Sequence, residues 1–378
     1  MKNIFLCFLL TIMCITLVGC SSTRPLVLEV IVTPSVEYDE VLFPSLYNTF
    51  DSSALTVLGF CEDSLYFSEN IWEEQPIAQS LNKYNISSGL IETVFLFPQS
   101  PPLALMSFVV QDDALYFSAF NSRTQDQYYI YKYDSQLTLL AEGYLSHPLN
   151  TPELVKYKDS LLFIDENYLG DNYYYRVNQI VEGKCSEIIS DRSSDSDSVA
   201  VVVSSLTANT SYFAFTVTTA DSTQVYIAQD NAIFKEFTLE YRVGEIAFLD
   251  EYILIPYYAG DLEHPRNVEE GIMLIEVNKD TRYQLEAFNN RLYDLCPIND
   301  SIVFTDIYKD LSNPKENYVP YLLSAEEGTL YAAKLDKSKL PNQPVFAARL
   351  DDTEFLMFNW SPENDQLQAV RVRVKLHD

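Results

Sequence analysis

One short pattern recurs along almost the whole chain: an apolar strand, an acidic or amide turn, and a second apolar strand, which reads Ser-Leu-Tyr-Phe in the first unit and similarly in several others. One turn residue of each unit serves as a marker, and the markers are Asp63, Asp113, Asp159, Asn209, Asp250, Asp300 and Asp352. Successive markers lie 41 to 52 residues apart. Self-similarity at this period is typical of repeat architectures, so it constrains the fold more than any single motif does.

The segments around each marker are rich in residues that favour β-strands, and the chain holds 27 Tyr and 22 Phe. No segment beyond residue 19 has convincing helical periodicity. Four short antiparallel strands in a unit of this length are typical of a β-propeller blade. The sequence therefore predicts an all-β, seven-bladed β-propeller over residues 26–378, with six or eight blades as alternatives.

The seventh unit runs out of chain after its third strand. Ahead of the first unit, Leu26–Thr33 reads as an unpaired strand. We expect this strand to join the last blade and close the ring, because closure removes an exposed sheet edge.

The first residues have the features of an export signal, with Lys2 followed by an apolar run that is too short to span a bilayer. The run ends in Leu17-Val18-Gly19-Cys20, which resembles the bacterial lipobox. The resemblance implies a signal peptide over residues 1–19, lipid modification of Cys20, a tether over residues 20–25, and an extracytoplasmic protein anchored in a membrane. An ordinary secretory signal that ends near a cysteine is the alternative.

The charge of the chain limits its partners. Removing residues 1–19 takes away Lys2 and no acidic residue, so the formal charge of −29 becomes −30. This charge argues against nucleic acid as a partner, because that binding depends on basic side chains that contact phosphates. The acidity indicates a soluble monomer, and attraction of cations or basic ligands is the alternative.

The sequence offers few residues for catalysis or metal binding. It has three histidines, two of which precede prolines, and the cysteines after the anchor form no CxxC pair. No catalytic residue, metal site or cofactor is predicted. The marker acids are interpreted as hairpin-turn residues, and the acidic stretch Asp191–Ser198 is interpreted as a solvated loop in preference to a calcium site.

Loops between the second and third strands appear long in the sequence and would share one face with the blade-to-blade connections. They are Ser68–Ser80, Ser118–Gln127, Asp165–Asn172, Pro256–Glu270 and Thr305–Gly328. Long loops in a compact fold are often functional. The candidate binding face therefore comprises Trp72, Arg123, Tyr168, Tyr257, Tyr258, His264, Arg266, Tyr308 and Trp360.

The first unit, with Asp63-Ser-Leu-Tyr-Phe-Ser, a loop, Lys-Tyr-Asn and then Ser-Gly89, resembles propellers of the TolB and YWTD kind. The resemblance is one of blade rhythm, so it implies a fold and carries over no functional residue. The leading hypothesis is a non-catalytic, lipid-anchored propeller that binds a protein or a glycan. The alternatives are an extracytoplasmic hydrolase or lyase that uses carboxylates and tyrosines at the central channel, and an assembly factor with purely structural contacts.

Overall fold

The structure is a computed structural model of the chain. It describes residues 24–26, 35–42, 55–61, 63–72, 76–145, 151–169, 172–193, 202–218, 222–259, 269–279, 281–285, 291–298, 301–307, 318–326, 329–340, 346–349, 354–361 and 366–375. The predicted signal peptide and Cys20 lie outside these residues. Within the described ranges, no helix is long and apolar enough to cross a membrane.

The described residues form an all-β structure with one short 3-10 turn at Lys337–Lys339. The strands are β1 (Arg24–Leu26), β2 (Ser35–Leu42), β3 (Leu55–Cys61), β4 (Ser64–Trp72), β5 (Pro76–Asn85), β6 (Ile91–Leu96), β7 (Leu103–Gln111), β8 (Ala114–Asn121), β9 (Gln127–Tyr133), β10 (Leu137–Tyr144), β11 (Val155–Tyr157), β12 (Ser160–Leu169), β13 (Asn172–Val181), β14 (Lys184–Ser193), β15 (Val202–Ala208), β16 (Phe213–Thr218), β17 (Thr223–Gln229), β18 (Ala232–Leu239), β19 (Arg242–Val243), β20 (Ala247–Leu249), β21 (Tyr252–Ala259), β22 (Glu269–Glu276), β23 (Arg282–Leu285), β24 (Arg291–Ile298), β25 (Ser301–Ile307), β26 (Tyr318–Glu326), β27 (Thr329–Lys334), β28 (Phe346–Arg349), β29 (Glu354–Ser361) and β30 (Gln366–Lys375).

These strands form sheets that follow one another along the chain. Sheets 1 to 4 are β3–β6, β7–β10, β11–β14 and β15–β18; sheet 5 holds β19–β23 and β1; sheet 6 is β24–β27; and sheet 7 is β28–β30 with β2. Consecutive sheets contact each other, and β28 of sheet 7 contacts β3 of sheet 1, so the sheets form a closed ring. The predicted all-β propeller is confirmed.

The prediction of seven blades needs a correction, because only six of the described sheets have the four strands of a blade. These six sheets have four strands each, whereas sheet 5 has six, because β1 joins it and its first strand is divided into β19 and β20. The division lies opposite Pro256, which has no N–H to donate to a ladder. Gly244 donates its N–H to the Pro256 carbonyl (2.9 Å), and Ile246 donates to the Ser205 hydroxyl of sheet 4 (3.0 Å).

The strand that joins the last blade is Ser35–Leu42, and the prediction of Leu26–Thr33 for this role was wrong. β2 pairs antiparallel with β30 along its whole length. Its residues alternate, with Val36 and Tyr38 packed against the core and Glu37 exposed. Such alternation suits an outermost strand that is covered on one face only. Arg24 and Pro25, which were assigned to the tether, instead belong to β1, which pairs in parallel with β23.

The hydrophobic core lies in layers between neighbouring sheets. The phenylalanines of the repeated second-strand motif fill these layers: Phe67, Phe117 and Phe213 are 0% exposed and Phe163 is 1% exposed. Phe117, for example, packs with residues of both sheet 1 and sheet 2. Full burial of an aromatic side chain contributes about 1.5–3 kcal/mol to folding, so the repeat motif contributes directly to the stability of the ring.

Each antiparallel sheet has two ends, which give the propeller two faces. One face holds the turns that join the first strand to the second and the third strand to the fourth, and we call it the turn face. The opposite face holds the loops between second and third strands and the connections between sheets, and we call it the connection face. On the turn face Asp112 and Asp113 have φ of 51° and 60°, as a two-residue hairpin requires. The carboxylate of Asp63 accepts a hydrogen bond from the Ser87 N–H (3.0 Å), and the Asn209 side chain accepts one from Ser211 (2.8 Å). These contacts support the interpretation of the markers as turn residues.

The predicted bounds of three loops on the connection face are wrong, because much of each segment is strand. Ser68–Ser80 and Asp165–Asn172 are largely strand, because β4 and β5 pair as far as Trp72 and Pro76, and β12 and β13 as far as Leu169 and Asn172. Thr305–Gly328 contains the whole of β26. Cross-strand pairing extends these strands through polar residues that alone favour loops.

Candidate functional site

A groove of 310 Å³ lies between sheets 2 and 3 on the connection face. It is lined by Gln127, Tyr129, Glu142, Gly143, Tyr144 and Arg176. Gln127 begins β9 and Tyr144 ends β10, so both lie at the connection-face ends of their strands. Arg176 comes from β13 of the neighbouring sheet. The groove therefore has walls from two blades, as ligand sites between packed elements often do.

Arg176 is held in place by a buried carboxylate. It lies directly opposite Asp165 in the β12–β13 register, and the two side chains form an ion pair. The Asp165 side chain is 3% exposed, whereas that of Arg176 is 46% exposed. Burial raises the pKa of Asp165, and the adjacent guanidinium opposes this rise. The pair thus fixes one side of the guanidinium and leaves the other side open to the groove.

Tyr128 provides a second donor to Asp165 from the neighbouring sheet. Its side chain is 2% exposed, and its hydroxyl donates a hydrogen bond to the Asp165 carboxylate. Burial, together with the charge of Asp165, raises the pKa of Tyr128 far above its usual value. Asp165 therefore connects sheet 2 to sheet 3 beneath the groove.

Gly143 makes room for this tyrosine. The two residues are paired across β9 and β10. A Cβ atom at position 143 would lie 2.4 Å from the Tyr128 ring, closer than any normal contact. Gly271 stands in the same relation to Tyr257 in sheet 5, where the Cβ would lie 2.5 Å from the tyrosine hydroxyl. A ring that covers a cross-strand glycine is a known way to pack such a position.

The outer wall of the groove is aromatic and acidic. Tyr144 is 63% exposed, Glu142 is exposed, and the Tyr129 hydroxyl donates to the Gln127 side-chain carbonyl (2.8 Å). The charge of Glu142 adds to burial in raising the pKa of Tyr129 and also that of Tyr131, which reaches about 12. The groove wall therefore combines an acidic side chain with an exposed aromatic ring.

A second depression of 270 Å³ lies between sheets 1 and 2. Its cations are already paired: Lys83 lies 3.5 Å from Glu92. Beside it, Lys132 on β9 lies 2.6 Å from Asp134. The Tyr133 hydroxyl donates to the Val94 carbonyl across the sheets (3.2 Å). These contacts join the two blades. Of the two depressions, the groove between sheets 2 and 3 is the larger and has the exposed ring of Tyr144 in its wall.

Of the predicted binding face, Tyr257 is misplaced. It lies on β21, is 5% exposed, and its hydroxyl accepts a hydrogen bond from the Gln284 side chain (2.8 Å). It was assigned to a loop, but strand pairing of β21 with β22 continues through it. Arg123 is exposed in the loop between β8 and β9, beside the strands that form the groove, and its role in binding stays a prediction.

The other predicted residues stay predictions. Trp72, Tyr168, Tyr258 and Trp360 lie on strands near the connection face, and their side chains lie outside what is described. His264, Arg266 and Tyr308 fall outside the described residues altogether. The sequence did not predict the groove residues, because they come from three strands and the pairing of those strands cannot be derived from the sequence. The sequence feature that could have indicated this site was Gly143, because the chain has only 10 glycines.

The alternative of carboxylate chemistry at the channel gains no support from the described part of the chain. Within it, no three His, Cys, Asp or Glu side chains come together as metal ligands would. Glu153 precedes the innermost strand of sheet 3, and its side chain is exposed.

The chain matches no protein-family model and no curated protein sequence. Solved structures do match it. The structure of YCF48 bound to D1 peptide has a TM-score of 0.52 and 10% identity over 94% of this chain and 98% of that one. Oligogalacturonate lyase in complex with manganese has a TM-score of 0.52 and 10% identity, with coverages of 91% and 98%.

A chain of the mitotic checkpoint complex has a TM-score of 0.50 and 14% identity, with coverages of 94% and 100%. Raptor from Chaetomium thermophilum is longer, and this chain spans 27% of it with a TM-score of 0.49. YCF48 and oligogalacturonate lyase are β-propeller proteins. At these identities, the likenesses establish the propeller fold alone.

Proposed function

We propose that this protein is a lipid-anchored, extracytoplasmic propeller that binds a protein ligand, without catalysis, in the groove between sheets 2 and 3. The observation that carries the proposal is Arg176, which is fixed by the buried Asp165 yet half exposed to a groove with the open ring of Tyr144. Exposed aromatic and arginine side chains are enriched where proteins bind one another. The peptide bound to YCF48 shows that a propeller of this general shape can hold a peptide.

The irregular sheet 5 acts, in this proposal, as the seventh blade of a TolB-like or YWTD-like ring. It contacts sheet 4 through β15 and β20, and sheet 6 through β20 and β24. Its strand β23 also pairs with β1, which places Arg24–Leu26 at the rim of this blade.

The pairing of β1 favours one orientation on a membrane. β1 runs parallel to β23, which starts at the turn face, so Arg24 enters from the turn-face side. Lipidation of Cys20 would leave Ser21, Ser22 and Thr23 as the tether, which spans at most about 14 Å between the Cα atoms of Cys20 and Arg24. The turn-face rim of sheet 5 then lies near the bilayer, and the connection face with its groove points away from it.

The anchor is tested by labelling with a radioactive fatty acid. Wild type should incorporate the label, and Cys20→Ala should not and should leave the membrane fraction. Label retained by Cys20→Ala would refute lipidation at this residue.

Ligand binding is tested by co-purification from detergent-solubilised membranes. Tyr144→Ala should lose a protein that wild type retains, because the exposed ring belongs to the groove. Phe234→Ala is the matched control, since Phe234 is 49% exposed on β18 of sheet 4, outside the groove. Identical co-purifying proteins for all three would rule out the groove as the binding site.

A further inference from the structure

Carboxylates outnumber cations around the groove between sheets 2 and 3. Glu142 lies in its wall, and Asp126 lies close enough to raise the pKa of Tyr129. Asp165 and Glu187 both act on Arg176. With Arg176 and Arg123 as the cations, these four carboxylates leave a net charge of about −2. The site therefore attracts positive charge.

Arg176 adds little attraction for an anion. Its charge is offset by the buried Asp165, with which it forms a direct ion pair. A carboxylate or phosphate on the guanidinium would also approach Glu142 in the same groove. The formal charge of −29 on the whole chain disfavours an acidic ligand further.

A cation, by contrast, meets two favourable groups together. The exposed ring of Tyr144 offers a π face, which attracts lysine and arginine head groups. Glu142 precedes it by two residues on β10, on the same side of that strand, and supplies the opposite charge. The long apolar stem of a lysine or arginine can pack against a tyrosine while its head group reaches the carboxylate.

We infer that the groove receives a lysine or arginine side chain presented by an extended segment of the partner protein. The inference rests on the proposed function, because it names the chemistry of the ligand in that same groove. Gln127, the first residue of β9, adds a polar side chain to the groove wall. The acidic chain as a whole accelerates the approach of such a basic segment.

The test is selection of random twelve-residue peptides displayed on phage against the immobilised, detergent-solubilised full-length protein. Peptides retained by wild type are then screened against Tyr144→Ala, and those whose binding is lost define the ligands of the groove. We expect these peptides to share a lysine or an arginine. Raising the salt concentration should weaken them, since the interaction is partly electrostatic.

A matched pair of variants separates the groove from the general acidity of the protein. Glu142→Gln should weaken a selected basic peptide about fivefold, which corresponds to an ion pair of about 1 kcal/mol. Glu236→Gln removes one exposed glutamate from β18, the outermost strand of sheet 4, and should change the affinity less than about 1.5-fold.

The outcomes distinguish the two proposals. Groove peptides that are neutral or acidic, or an equal effect of Glu142→Gln and Glu236→Gln, would overturn the basic-ligand inference and leave groove binding intact. If Tyr144→Ala retains every selected peptide, the groove is not a peptide site and both proposals fail.

Discussion

Replacing Arg176 by glutamine leaves the buried Asp165 with Tyr128 as its remaining donor among the described residues. Breaking a buried ion pair by removing one partner costs about 3–5 kcal/mol. The Asp165 side chain is 3% exposed but that of Arg176 is 46% exposed, so water screens part of the interaction. We therefore expect the free energy of unfolding to fall by about 2 kcal/mol near pH 7.

The loss should depend on pH in a defined direction. Burial raises the pKa of Asp165, and Arg176 opposes that rise, so the variant has a folded-state pKa further above the unfolded value of about 3.9. A group with a raised folded-state pKa stabilises the fold below its unfolded pKa, and this contribution is lost as pH rises through the folded-state pKa. The deficit of the variant relative to wild type should therefore be small near pH 4 and complete by pH 8.

The measurement is urea unfolding of wild type and Arg176→Gln, followed by circular dichroism at several pH values and constant ionic strength. Adding Asp165→Asn to Arg176→Gln removes the buried charge, so the double variant should regain part of the stability at pH 7 and lose most of the pH dependence. A deficit that is the same at pH 4 and pH 8, or strictly additive losses in the double variant, would refute this reasoning.

Three further predictions concern residues of sheets 2, 3 and 5. Gly143→Ala and Gly271→Ala should each lower the free energy of unfolding by about 1–3 kcal/mol, because the added Cβ overlaps Tyr128 or Tyr257, respectively. Urea unfolding midpoints equal to that of wild type would contradict this. Tyr157→Phe should cost about 1 kcal/mol, since the hydroxyl donates to the Ser211 carbonyl (3.1 Å) and accepts from the Asp230 N–H (3.2 Å); thermal melts would show no change if these bonds are unimportant. Lys158→Ala should leave the melting temperature almost unchanged, because its ion pair with Asp230 (2.6 Å) lies at the surface. A clear drop in melting temperature would contradict this expectation.

The repeating order of strands and turns was predictable because each unit carries its own strand and turn signals. The strand Leu55–Cys61 was predicted with the bounds that the structure shows. The phenylalanines of the repeat motif, such as Phe67 and Phe117, lie in the core. The closing strand was predicted at the right end of the chain but at the wrong residues. Two strand-like segments compete there, and only pairing with β30 selects Ser35–Leu42.

The candidate site was beyond sequence reasoning for a related reason. Arg176 meets Asp165 through the register of β12 with β13, and Tyr128 meets Gly143 through the register of β9 with β10. Such cross-strand partners have no fixed spacing along the chain. Tyr257 appeared to be a loop aromatic because Pro256 precedes it, yet β21 continues through both.

The most direct test of the central claim is photo-cross-linking in intact membranes. A photoreactive phenylalanine analogue placed at position 144 lies in the groove, whereas the same analogue at position 234 lies on an exposed strand outside it. The account predicts a discrete cross-linked protein from position 144 that is absent from position 234 and reduced by Glu142→Gln. The same cross-links from both positions, or none from position 144, would contradict a binding groove between sheets 2 and 3.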